Sequence, residues 1–187
     1  MIAESSRAWL LFVARRALAD ALGVGYEPSV EPVRPDDPRL DAKARLFVSW
    51  HKGDKLAGCI GTLEPRLSLE GAVKVYAVEA ALNDPRLPAA RREDLPHMSC
   101  DISVLSDPIP MDVMGIDAIR DRLRPGEDGL IIRDGARRAV FLPVVWDNLP
   151  DPEAFVDALC RKARIDRSLR GPFVVGERFT AEKISDE

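Results

Sequence analysis

Leu46-Phe47-Val48-Ser49-Trp50-His51-Lys52-Gly53-Asp54-Lys55-Leu56-Ala57-Gly58-Cys59-Ile60-Gly61-Thr62-Leu63 is the stretch on which the fold turns: two apolar runs, rich in β-branched and aromatic residues, joined by a short polar insert. An insert this brief folds the second run back on the first, so the segment reads as a β-hairpin. A two-residue turn at Gly53-Asp54 pairs Lys52 with Lys55. Strict alternation from there puts Cys59 on the face of Val48 and Trp50, with His51 on the opposite face. Only an odd number of turn residues brings His51 to the cysteine's side, so a Cys59–His51 pair is conditional on register. The second arm gives up side chains at Gly58 and Gly61, and glycine inside a strand marks a place where another backbone or a ligand comes close.

Working outward toward the N-terminus, Gly25 to Lys43 holds Pro28, Pro32, Pro35 and Pro38 among acids and arginines, which breaks both periodicities and reads as an extended connection. Before it, Leu11, Ala14, Leu18 and Leu22 recur at helical steps, with Ser5 or Ser6 available as a cap and Gly23 to end the helix. On the other side of the hairpin, Ser68 precedes a second helical stripe of Leu69, Val73, Tyr76, Ala77 and Ala80, which stops at Asn83-Asp84-Pro85. Met98 to Leu105 alternates like a half-buried strand, and Ile116, Ile119 and Leu123 mark a short helix ended by Pro125-Gly126. Asp134-Gly135 between apolar runs predicts a second hairpin, over Leu130 to Leu142. Asp151-Pro152-Glu153 supplies an N-cap, a proline in the first turn and an acid for the helix dipole, so a helix follows through Phe155, Ala158 and Leu159. An edge strand near Phe173 to Phe179 and a charged, fraying terminus complete the reading.

This order of elements predicts an α+β fold, a mainly antiparallel sheet with helices packed on it. No glycine-rich phosphate loop lies between a strand and a helix. With 187 residues the chain makes one domain, or one domain with a smaller lobe, and buries ~70% of its unfolded surface. A net charge of −4 and a pI near 5.4 give no electrostatic reason to expect a polyanionic partner across the whole surface. Basic runs at Arg91-Arg92, Arg137-Arg138 and Arg161 through Arg170 carry no interleaved aromatics, so they read as solvated faces, and nucleic acid is not an expected partner. Three widely spaced cysteines, Cys59, Cys100 and Cys160, form neither a disulfide framework nor a CxxC zinc site. They imply reduced thiols and a cytoplasmic location. The apolar run from Trp9 to Ala14, flanked by Glu4 and by Arg15-Arg16, suits neither a signal peptide nor a membrane span.

Phe47-Val48-Ser49 leading to Leu56-Ala57-Gly58-Cys59-Ile60-Gly61, then Ala80-Ala81-Leu82-Asn83-Asp84-Pro85-Arg86, Ile102-Ser103-Val104-Leu105-Ser106, Phe141-Leu142-Pro143 and Leu159-Cys160-Arg161-Lys162-Ala163, resembles the AMMECR domain family, known in bacteria as protein A of the AmmeMemoRadiSam system. The likeness runs over residues 5–180 of a single domain spanning 1–187. It implies a larger part built from both chain ends, a smaller lobe, and a cleft between them at the Gly-Cys-Ile-Gly strand. Its gene context implies partnership with a MEMO-type, dioxygenase-like protein and a radical S-adenosylmethionine protein, and it brings no assigned activity and no cofactor. Three positions depart from the family pattern: Ala57 replaces an arginine, Val144 a glutamine and Arg164 a glycine. A methyl group at 57 cannot donate the forked hydrogen bonds with which a guanidinium holds an anion.

Two readings of the site stand side by side. In one, Gly58, Ile60 and Gly61, with Asn83, Asp84 and Arg86, line a binding cleft, and the protein is an accessory factor. In the other, Cys59 is the nucleophile of a thiol-dependent enzyme, approachable beside two glycines, with His51 or His97 as base. Each residue also has a purely architectural account: a buried small thiol for Cys59, a turn for Asn83 and Asp84, an ion pair for Arg86, a solvated ring for His97. Two histidines far apart give no metal set.

Overall fold

The computed structural model describes residues 1–28 and 30–186, and its chain divides into two compact units, Met1–Leu105 with Glu182–Glu187, and Ser106–Ala181. The expected α+β class holds, with the strands divided over two four-stranded antiparallel sheets. The larger unit draws on both ends of the chain. None of the described helices is long and apolar enough to cross a membrane.

In the larger unit the sequence hairpin becomes β1 (Arg45–Lys52) and β2 (Lys55–Thr62), joined by a turn in which Gly53 takes φ +56°. That conformation suits glycine because no Cβ meets the following carbonyl. With β3 (Met98–Leu105) and β8 (Ala181–Ser185), these strands make a sheet of order β2-β1-β3-β8. Along β1 the apolar alternation does what period two requires: Leu46, Val48 and Trp50 are fully buried, and Phe47, Ser49 and His51 are half-buried on the other face. The buried face carries α1 (Glu4–Leu22) and α2 (Leu69–Leu82), whose Leu10, Ala14 and Leu18 and whose Val73, Ala77 and Ala80 close the core with Cys100, Ile102 and Ile184. Trp50 is satisfied inside that core, its indole Nε1–H donating to Ala77 O at 2.8 Å. Burial pushes the Cys100 thiol well up, so it stays neutral there.

Ser68, which precedes the second helical stripe in the sequence, caps α2 by accepting from Gly71 N. At α1 the cap position is Ala3, not a serine, and Ser6 is instead fully buried and donates to Asp37 Oδ2 at 2.7 Å. The C-terminus does not fray at residues 181–185. Those form β8, and beyond it Asp186 Oδ2 accepts from Cys100 N and from the Arg15 guanidinium.

The smaller unit holds β4 (Ile109–Met114), β5 (Gly129–Asp134), β6 (Arg137–Phe141) and β7 (Val175–Phe179) in the order β4-β7-β5-β6. The segment expected at an edge is therefore interior: β7 is flanked by β4, a strand that Pro110 and an irregular pattern conceal from a periodicity reading. The second hairpin forms with Asp134 paired to Arg137, so Gly135-Ala136 is its loop, one residue later than the Asp-Gly pair implied. Helices α3 (Ile116–Arg120), α4 (Pro152–Ala163) and α5 (Arg167–Arg170) follow, and Phe155 of α4 stacks on Trp146 at 3.8 Å in the core. Asp151 caps α4 through Ala154 N, as its sequence predicts. Arg164, which stands where the family pattern has glycine, ends that helix at φ +57°, a left-handed conformation in which glycine costs less.

Candidate functional site

The hairpin's turn is as expected, with Lys52 opposite Lys55, but its register slips one residue on. Trp50 faces Gly58 and Ser49 faces Cys59, because a bulge between Trp50 and His51 leaves Ala57 as an extra residue in β2. One inserted residue reverses every side chain beyond it. Cys59 consequently lies on the side of Ser49 and His51, not of Val48 and Trp50, and the requirement for an odd turn is met by a bulge instead.

Both glycine positions are filled from within. A Cβ on Gly58 would stand 1.7 Å from Ala80 O, and one on Gly61 would stand 2.1 Å from Leu46 O and 2.6 Å from Phe47 Cγ. The close approach that strand glycines signal is real, and its occupants are the last turn of α2 and the body of β1. Ile60, opposite Val48, is half-buried and packs against the helical core.

Around Cys59 the side chains of Asp84 and Arg86 make a clamp. Asp84 follows α2, its carboxylate side chain 2% exposed. Its Oδ2 accepts from Cys59 N at 2.9 Å and from Arg86 Nη2 at 2.7 Å, while Oδ1 accepts from Arg86 Nε at 2.9 Å and Arg86 N at 3.1 Å. Arg86 Nη2 also donates to Cys59 O at 3.0 Å. β2 is the outer strand of its sheet, so these two side chains satisfy at Cys59 the donor and acceptor that a neighbouring strand would otherwise satisfy. The Arg86 guanidinium, with the peptide N–H bonds beside it, holds the Asp84 carboxyl well below the usual carboxylate range. Asn83 stays outside the clamp, ending α2 and donating to Glu79 Oε1 at 3.1 Å.

Cys59 is half-buried, and the Arg86 guanidinium lies on its backbone carbonyl. His51 shares its face but leans away across the sheet, its Nε2 3.3 Å from Asp101 Oδ2, which also receives Lys183 Nζ at 2.9 Å. Burial raises the Asp101 carboxyl, and hydrogen bonds from Ser185 and Lys183 more than offset that and hold it below its ordinary value. His97 is not part of this cluster. It is exposed, and the residue after it pairs with Lys52, three positions or roughly 10 Å along β1 from the partner of Cys59. Among the described residues no group of three metal-ligating side chains converges.

Periodicity gives no sign of a second feature on the same edge. The tip of the hairpin and the chain after Arg86 enclose a groove of about 390 Å³. Leu56, Ala57, Pro88, Ala89, Ala90 and Met98 form its apolar surface, and Lys52, Lys55, Arg91, Glu93 and Asp94 its rim. Ala90 is fixed as the far wall by its N–H, which donates to Ala81 O at 2.8 Å. The only clue in the sequence is a run of small residues after a proline, Pro88-Ala89-Ala90, too short to carry a period.

Comparison with known proteins agrees with this architecture. The AMMECR1 family model matches residues 11–184. A protein of Thermofilum pendens is 36% identical over 167 residues, which is 83% of this chain and 78% of that protein. One of Thermococcus gammatolerans is 31% identical over 190 residues, 96% of this chain and 89% of its own length. The crystal structure of an uncharacterized Pyrococcus horikoshii protein, 28% identical, superposes with a TM-score of 0.85 and covers 100% of this chain and 94% of that one. With the hairpin, the clamp and all but the last residue of the two sheets inside the matched segment, the chain belongs to the AMMECR1 family.

Proposed function

We propose that the protein is an accessory binding factor that contacts a MEMO-type, dioxygenase-like protein and a radical S-adenosylmethionine protein through the outer edge of β2. The observation that carries this reading is the groove beside Leu56 and Ala57, an apolar concavity with a charged rim on a strand that has no further neighbour. Gly58 and Gly61 serve it by letting β2 lie close to α2 and β1, and Asp84 and Arg86 by fixing the strand's backbone. Mixed at micromolar concentration, the chain is expected to co-elute with one or both of these proteins from the same organism in size-exclusion chromatography. Separate elution from both overturns the reading.

A specific observation supports a second reading, a thiol-dependent activity at Cys59. Cys59 is half-buried with the Arg86 guanidinium 3.0 Å from its carbonyl oxygen, and a neighbouring cation is what reactive thiols use. On this reading Cys59 is alkylated by iodoacetamide at neutral pH faster than free cysteine, and Arg86→Gln slows it severalfold, as followed by intact-protein mass spectrometry. Labelling no faster than free cysteine removes it.

A further inference from the structure

We propose that the free stretch of the β2 edge at Leu56 takes an extended segment of a partner protein as an added strand, with an apolar side chain in the groove and an acidic one against Lys55. The inference rests on the binding reading above and deepens it by naming the chemistry of the occupant.

Antiparallel pairs alternate between residues that bond each other and residues whose N–H and C=O point outward. A two-residue turn makes Lys52 and Lys55 a mutually bonded pair, so Leu56, opposite His51, points its backbone out. Cys59 also points out, as its bonds to Asp84 and Arg86 show. Residues 56 and 59 can share this orientation only because Ala57 is the extra residue of the bulge. The edge thus carries two outward stations. At Cys59 the chain covers its own edge with two side chains. At Leu56, among the described residues, no backbone or side-chain group from outside the hairpin bonds the peptide.

Proteins blunt exposed edges with charge, bulges or cover, and leave them open where a strand is to be added. Here the uncovered station coincides with the groove, and Leu56 is 43% exposed at its mouth. The opposite wall begins at Pro88, which has no N–H to offer and cannot itself serve as the missing strand. The rim selects charge. Lys52 is held by Asp94 at 2.5 Å, and Arg91 lies 3.8 Å from Glu93, while Lys55 has no ion-pair partner among the described residues. One uncompensated ammonium beside an apolar groove favours an acidic residue next to the apolar anchor.

The test uses the full chain, ¹⁵N-labelled, titrated with three capped heptapeptides: alternating valine and glutamate, alternating valine and lysine, and the glutamate peptide with its central valine replaced by proline. Strand addition predicts shifts at the amides of Leu56, Ala57 and Ala90 and slowed exchange at Leu56 with the glutamate peptide. Binding should be about tenfold weaker for the lysine peptide and weaker still for the proline one. The exposed substitution Lys55→Glu should remove the preference for glutamate, and Ala90→Trp should block the groove. Equal binding of the three peptides, no response at Leu56, or unchanged affinity in both variants overturns the inference. So does a dimer in solution with Leu56 already protected, because a second copy would then own the edge. Co-elution with the two partner proteins that survives Ala90→Trp leaves the binding reading standing without this inference, whereas peptide binding without co-elution does the reverse.

Discussion

Gly58→Ala is expected to lower the unfolding free energy of the larger unit by about 3 kcal/mol, at the upper end of what overpacking a core costs. The added methyl would stand 1.7 Å from Ala80 O and 2.7 Å from Ala80 C. These are backbone atoms in the last turn of α2, so no rotamer change relieves the clash and the helix must lift from the sheet. Lifting it loosens Ala77 and Ala80 from β1 and stretches the bond from Trp50 Nε1 to Ala77 O. Gly53→Ala is the informative contrast. Its methyl meets nothing within 4 Å, and its only penalty is φ +56°, worth about 1 kcal/mol. Urea unfolding followed by tryptophan fluorescence separates the two, and a Gly58→Ala loss no larger than that of Gly53→Ala would refute the packing account.

The same glycines show how far the sequence reads and where it stops. That something must come close at Gly58 and Gly61 follows from the missing side chains, but composition cannot say whether the visitor is foreign or the chain's own helix. The hairpin, the helical stripe after Ser68, the cap at Asp151 and the alternation of β1 are local, encoded within a few residues, and the structure keeps all of them. What escapes is set by long-range contact. The bulge at Ala57 has no turn residue to announce it and is fixed by α2 pressing on Gly58 from a distant part of the chain. β8 is charged and terminal, and becomes a strand only because β3 offers it an edge and Arg15 holds the following Asp186. Ser6 looks like a cap until Asp37, from the proline-rich connection, claims its hydroxyl. For the site, the sequence names Cys59, Asp84 and Arg86 but not their mutual geometry, and gives no periodic sign of the groove, whose far wall from Pro88 to Arg91 is irregular backbone.

Asp84→Ala is expected to cost about 3 kcal/mol, because it removes a buried carboxylate that accepts four hydrogen bonds and leaves the Cys59 N–H without a partner. Arg86→Gln should cost less, since the Arg86 side chain is 62% exposed and water replaces part of what it loses. Acid distinguishes the clamp from simple packing. The Arg86 guanidinium, aided by the Cys59 and Arg86 peptide N–H groups, holds the folded Asp84 carboxyl well below its ordinary 3.8. As pH falls through that ordinary value the unfolded chain takes up the proton first, so the stability this group contributes is complete above about pH 5 and drains away below 3.8 toward the folded value. Asp84→Asn cannot titrate and keeps one acceptor. Its stability deficit against the native chain should therefore be constant from pH 7 to 5 and shrink as pH falls below 3.8. Every other carboxylate is common to both proteins and cancels in the difference. A deficit that stays the same down to pH 3 would mean that Asp84 acts through shape alone, and the clamp on the edge of β2 would then be no electrostatic device.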